Sequence, residues 1–109
     1  MSGRFPGAAN VDALWDLVER GGNAFRTFSA DEIEDSFTDE ERASPDYVAC
    51  RPHLTDIDRF DAEFFGISPR EAASMDPQQR LMLQVAWEAL EDAGHAGAGL
   101  AGSNTGVYL

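Results

Sequence analysis

The sequence contains one cysteine, Cys50, in 109 residues. An internal disulfide framework is therefore excluded, and a reducing compartment suits the chain. Lysine is missing altogether: the eight basic residues are all arginines and face twenty acidic ones, for a formal charge of -12. Phosphate backbones and anionic lipid surfaces repel such a chain, which argues against nucleic acid and membrane as partners. No run approaches the roughly 18 apolar residues needed to span a bilayer, and the opening residues lack the apolar core of a signal peptide, so a cytoplasmic location is expected. Paired metal-ligand spacings such as CxxC or HxxxH, a GxGxxG turn and a Walker loop are also missing, and no metal or nucleotide site is expected.

Apolar residues are not scarce. At 43% hydrophobic, with seven Phe and two Trp, the chain is too apolar for a disordered segment. Its length allows one domain at most, burying roughly 60–70% of its unfolded surface. Residues 31–46 (DEIEDSFTDEERASPD) hold eight of the twenty acidic residues and read as a solvated surface excursion.

Punctuation and periodicity place the elements. Residues 2–8 (SGRFPGA) are loop chemistry. An amphipathic helix follows, capped by Asn10, carrying Val11, Leu14, Trp15 and Val18 at helical spacing, and stopped at Gly21 and Gly22. Ser29 and Glu32 form a capping-box pattern for a short helix through Ile33. The rest of residues 23–58 reads as irregular, with at most a short edge strand at Tyr47, Val48 and Ala49 between Pro45 and Pro52. Two helix starts then follow closely. Ser68, Pro69 and Glu71 make one; Asp76, Pro77 and Gln79 make the other, with Asp76 and Gln79 as a capping pair. The second start leads into a long helix over residues 77–93, ended by Gly94. Residues 106–109 (GVYL) read as the beginning of a core strand.

The long helix is the unusual element. At about 100° per residue, Arg80, Gln84, Glu88, Glu91 and Asp92 fill a polar arc of about 120°, and Met82, Leu83, Val85, Ala86, Trp87, Ala89, Leu90 and Ala93 cover about 200°. A helix apolar on two sides belongs between a sheet and a second layer, and the chain offers little to supply either. Leaving four of its large side chains exposed forgoes about 6–12 kcal/mol, so marginal stability and self-association are expected. Packing Leu14 and Trp15 on Val85 and Leu90, in a collapsed all-helical arrangement, is one way to hide that face.

These segments, taken in order, resemble a known family. Residues 2–8, the ALWDLVERG helix, residues 60–94 (FDAEFFGISPREAASMDPQQRLMLQVAWEALEDAG) and a terminal TGVYL are similar to the N-terminal part of a β-ketoacyl synthase. This is the ketosynthase domain of modular polyketide synthases and hybrid polyketide/nonribosomal peptide synthetases. The motif residues are Gly3, Arg4, Phe5, Pro6 and Gly7, then Phe64, Phe65 and Gly66, then Asp76, Pro77, Gln78, Gln79 and Arg80. The resemblance implies an α/β fold: a partial thiolase-like architecture, mainly helical in this segment, with one or two short strands. It implies that the family's first strand, and everything after Leu109, lie outside this chain, including the nucleophilic cysteine in a TACSS-like turn and two catalytic histidines. In the complete domain, an acyltransferase of polyketide biosynthesis, an acyl chain passes to the cysteine and is joined by decarboxylative condensation to an extender unit on an acyl carrier protein. Phosphopantetheine would sit only on that carrier, and no cofactor on this chain. The implied partners are the rest of the ketosynthase or another synthase subunit, and the carrier protein.

The residues themselves suggest no catalytic centre. Cys50 lies outside any serine-rich turn or helix start and reads as a bystander thiol, although Arg51 and His53 stand near it in sequence. His53 and His95 read as a loop residue and a helix-end residue. Asp58, Asp61 and Glu63 read as surface acids, and Arg80 as a structural donor to a nearby carboxylate or carbonyl. Three functions fit: a structural part of a ketosynthase that is silent alone, a docking module using the apolar helix face, or one chain of a split ketosynthase.

Overall fold

Each helix begins where a short polar side chain can take over an unpaired backbone N–H, and those side chains set the element boundaries. In a computed structural model of the chain, which describes residues 1–29, 32 and 37–107, four helices and two strands form in the order α1 (Val11–Glu19), β1 (Phe25–Thr27), α2 (Asp39–Arg42), β2 (Cys50–Pro52), α3 (Pro69–Ser74) and α4 (Pro77–Asp92). A 3-10 turn at Ala98–Leu100 follows. The fold is mixed α/β and rich in helix, as expected.

Helix α1 is capped by Asn10, whose side chain accepts from the Ala13 amide at 2.8 Å. Its expected apolar stripe divides. Leu14 and Leu17 turn partly inward, and a Cβ on Gly22 would stand 2.4 Å from the Leu17 side chain. Trp15, by contrast, is 66% exposed. The expected packing of Leu14 and Trp15 on α4 does not occur. Residues 1–4, the start of α1 and the end of α4 together line a cleft of about 450 Å³, with Asn10, Asp12, Glu88 and Asp92 on its border.

Two elements lie where irregular chain was expected. β1 pairs antiparallel with β2 in the register Phe25 to Pro52, Arg26 to Arg51 and Thr27 to Cys50. The strand expected at residues 47–49 is thus displaced to Cys50–Pro52. Tyr47 is drawn into a turn by its N–H bond to the Ser44 carbonyl, and Ala49 only accepts a bond from the Phe28 amide. Upstream, α2 is a single turn closed by a capping box between Thr38 and Glu41. Only half of the first capping box forms: the Ser29 amide and hydroxyl both donate to the Glu32 carboxylate, while the Glu32 amide bonds the Ser29 backbone carbonyl; the helix expected through Ile33 lies outside the described residues. Gly106 and Val107 belong to no strand, and the remainder of that expected strand, Tyr108 and Leu109, is also outside the described residues.

α4 ends one residue earlier than expected, at Asp92, with Ala93 as its cap. Gly94 takes φ 71°, and the amides of Gly94 and His95 bond the carbonyls of Glu91 and Leu90. This is a Schellman closure, which needs a left-handed residue where only glycine avoids a penalty.

The described residues bury very little. Only Phe28, at 7% exposure, and Ala72, at 8%, qualify as core, and no residue of α4 is buried. The radius of gyration is 18.1 Å, against about 13 Å for a compact domain of this length. The accessible surface is 8751 Å², against roughly 6,000 Å² for a folded monomer of this mass. The elements form while their mutual cover is largely absent.

Candidate functional site

The motif residues converge on α4 from three directions. The N-terminal loop arrives first. Phe5 and Ala8 form an isolated antiparallel bridge, closed by an N–H bond from Ala8 to the Phe5 carbonyl at 3.2 Å. Pro6 and Gly7 occupy the two turn positions, with Gly7 at φ 73°, which is the Pro-Gly arrangement of a type II turn. A side chain on Gly7 would also meet the Ala24 methyl at 2.9 Å, and one on Gly3 would meet the Phe5 ring at 2.3 Å. Both glycines permit close approach, and the turn they frame aims Arg4 at α4.

Arg4 grips Glu88 with two parallel bonds, Nη1 to Oε2 at 2.7 Å and Nη2 to Oε1 at 2.5 Å. The single Ser2 hydroxyl proton lies within reach of two acceptors, the same carboxylate at 3.0 Å and the Val85 carbonyl at 3.1 Å. The Arg4 bonds lead in holding the Glu88 carboxyl below its ordinary pKa, with partial burial opposing them, and the Arg4 guanidinium is raised by the same pairing.

The second approach is the 60–66 turn. Asp61 accepts from the Phe64 amide at 3.0 Å, a turn-capping role in keeping with its reading as a surface acid. Gly66 and Ile67 then close the turn through the carbonyls of Glu63 and Ala62. An aromatic relay follows: Phe60 stacks on Phe65 at 5.2 Å, Phe65 meets Phe64 edge to face at 5.0 Å, and Phe64 meets Trp87 of α4 edge to face at 5.0 Å. These geometries suit ring quadrupoles. Beside them, Gln84 Nε2 donates to the Arg59 carbonyl at 3.3 Å.

The third is the corner between α3 and α4. Ser68 accepts from the Glu71 amide at 3.2 Å, with Pro69 opening α3. Asp76 opens α4 the same way, with Pro77 in the first turn, but its bond falls on the Gln78 amide at 2.7 Å. The expected Asp76 and Gln79 pair is therefore corrected: with φ -57° and ψ 134° at Asp76, the carboxylate reaches the nearer amide, and Gln79 is bound through the Asp76 backbone carbonyl. The expectation for Arg80 is corrected too. Its Nε is buried and meets no hydrogen-bond partner among the described residues.

Sequence reasoning singled out Arg4 but missed its partners Ser2 and Glu88, and also Trp87 and Gln84 as contact points. The available signal was the recurrence of Arg80, Gln84 and Glu88 every four residues. That stripe reads as a polar arc; in the fold all three are half-buried, and Met82 on the apolar arc is 43% exposed. The N-terminal loop engages the polar side of α4 at Glu88, while Met82, Ala86 and Ala93 on the apolar arc stay exposed.

Among the described residues, the cysteine and the two histidines are not brought together. Cys50 is a free thiol in β2, with no hydrogen bond to either histidine. His53 stands edge-on to the Phe28 ring at 5.6 Å, while the guanidinium groups of Arg26 and Arg51 lie over that ring at 4.2 and 5.3 Å. His95 serves the closure of α4 through its backbone. A cleft of about 440 Å³ runs between the N-terminal loop, residues 53–56 and Leu81, but its charged groups are already engaged, Arg4 with Glu88 and Asp56 with Arg59. No cluster of three or more His, Cys, Asp or Glu suited to a metal occurs among the described residues.

The comparisons with known proteins agree with this geometry. Residues 1–109 match the family described as Beta-ketoacyl synthase, N-terminal domain. The chain is 51% identical over 109 residues to the spectinabilin polyketide synthase system protein NorA' of Streptomyces orinoci, covering 99% of this chain and 3% of that protein. It is 44% identical over 111 residues to erythronolide synthase EryA2 of Saccharopolyspora erythraea, covering 100% of this chain and 2% of that one. Among solved structures, the ketosynthase from module 6 of the bacillaene synthase of Bacillus subtilis superposes with a TM-score of 0.69 at 40% identity, over 85% of this chain and 16% of that chain. Ketosynthase twelve from the bacillaene polyketide synthase of Bacillus amyloliquefaciens gives 0.67 at 40% identity, over 84% and 16%. The chain thus spans a small part of the relatives it matches. With a family match from end to end and this likeness to solved ketosynthases, the chain belongs to the β-ketoacyl synthase family, within its N-terminal domain.

Proposed function

We propose that the chain serves as the structural N-terminal part of a polyketide synthase ketosynthase and is catalytically silent alone. The complete domain would take an acyl group from a carrier thioester onto its cysteine and join it to an extender unit with loss of carbon dioxide. The carrier protein's phosphopantetheine would present both substrates, and the work would be cytoplasmic. The observation that carries this reading is α4: 16 residues, none buried, in a chain that superposes on ketosynthases about five times its length. Its role is that of a framework, in which the Arg4 and Glu88 pair and the Phe64 and Trp87 contact hold loop, turn and helix in one arrangement for the remaining layers to close upon.

Two measurements test the proposal. Incubated with an acyl thioester, the isolated chain should take up no acyl group, and stoichiometric labelling at Cys50 would overturn its silence. Exchanged for the matching segment of the Bacillus subtilis module 6 ketosynthase, residues 1–109 should yield a folded, condensing chimera. A chimera that fails to fold would remove the framework reading and favour a docking module. The apolar face of α4 also favours a split ketosynthase, and restored condensation on mixing this chain with the remaining ketosynthase polypeptide would establish it.

A further inference from the structure

The first turns of α4 carry a donor without an acceptor among the described residues. Along the polar stripe, Glu88 is held by Arg4 and Ser2, and Gln84 donates to the Arg59 carbonyl. Arg80 begins the same stripe, and its Nε is withdrawn from solvent with no hydrogen-bond partner among the described residues. Asp76, the acid nearest to it in sequence, caps the Gln78 amide. A guanidinium cannot shed its proton to relieve the mismatch. Buried donors in finished folds are nearly always paired, so an orphan of this kind points to a missing acceptor.

Resting on the ketosynthase reading above, we propose that Arg80 is a positioning residue for the layer that covers α4. Its Nε–H donates to a carbonyl or carboxylate supplied by the remaining polypeptide of a ketosynthase domain. Three observations favour that occupant. The solved ketosynthases on which this chain superposes hold 84% of their length outside the matched part, since the match covers 16%. The accessible surface of 8751 Å² far exceeds that of a finished monomer, roughly 6,000 Å². A second copy is disfavoured by charge, because two chains of -12 repel each other.

The test compares one substitution in two settings, the isolated chain and the module 6 chimera. In the isolated chain Arg80→Met should leave the thermal midpoint unchanged or raise it, since it removes an unpaired donor. In the chimera it should lower the folding equilibrium constant about tenfold or more, the loss expected for a charged hydrogen bond. Arg80→Lys should not rescue the chimera, because lysine lacks the planar Nε–H. Equal losses in both settings would place the acceptor within this chain and overturn the proposal, as would no loss in the chimera. A homodimer of the isolated chain that Arg80→Met dissolves would place the acceptor on a second copy and overturn the proposal as well. A chimera that does not fold with Arg80 in place would instead sink the framework reading, and this inference with it.

Discussion

The Arg4 guanidinium and the Glu88 carboxylate, 84 positions apart in sequence, face each other fork to fork, and this pair fastens the N-terminal loop to the polar side of α4. Their side chains keep 34% and 42% of their exposure, so solvent screens the pair. Its worth is about 0.5–1 kcal/mol, the upper part of the range for surface pairs.

The pair makes stability depend on pH with a definite sign. Glu88 is held below its ordinary value of 4.5 chiefly by the Arg4 hydrogen bonds. A depressed carboxylate contributes fully above its unfolded pKa, and the contribution drains as pH falls through the lower folded value. Thermal midpoints followed by circular dichroism should therefore fall on acidification below about pH 4.5, and Glu88→Gln should lower the midpoint at pH 7 while flattening that part of the profile. An unchanged profile in Glu88→Gln would show that the pair does not form in solution.

Gly7 should tolerate no side chain. It holds φ 73° and would place a Cβ 2.9 Å from the Ala24 methyl. Gly7→Ala is expected to cost about 1–3 kcal/mol through the strained backbone alone, and denaturant titration should show it. Gly21→Ala, also at positive φ but with open space around its Cβ, should cost less. Equal costs would assign the effect to backbone conformation and not to the close approach.

Phe64 meets Trp87 edge to face, yet keeps 55% of its surface exposed. Phe64→Ala should cost about 0.5–1.5 kcal/mol in ring contact beyond lost area. The reporter is Trp87 fluorescence in a Trp15→Phe background, which removes the exposed second indole. A red shift on substitution is expected, and unchanged emission would place the ring elsewhere.

Salt should drive the isolated chain to associate. A charge of -12 keeps copies apart at low ionic strength, but the screening length falls from about 10 Å at 0.1 M to about 3 Å at 1 M. Exposed Trp15, Phe64 and Met82 then meet without that barrier. Light scattering should record a mass that rises with sodium chloride, whereas a constant monomer would show that the open faces are not adhesive.

Much of this was legible because it is local. Asn10, Ser68 and Asp76 announce helix starts through bonds reaching two or three residues ahead, and Gly94 announces an end through its own backbone preference. β1 and β2 were hidden for the opposite reason. Each is three residues long, and their register depends on a partner some 25 positions away, with no alternating pattern to mark it. The polar stripe of α4 concealed its partners in a related way, since nothing local shows that Glu88 meets the N-terminal loop or that Gln84 meets the Arg59 carbonyl.

The sequence by itself determined the caps, the turns, the length of α4 and its excess of apolar surface, because each follows from near-neighbour sterics and hydrogen bonding. Only the tertiary structure decided which side of α4 this chain covers. That choice is made by contacts across more than eighty residues: Arg4 and Ser2 satisfy the charged side. The apolar side is only half covered, with Met82, Ala86 and Ala93 exposed, because charge requires a specific partner, whereas apolar surface merely requires enough of one.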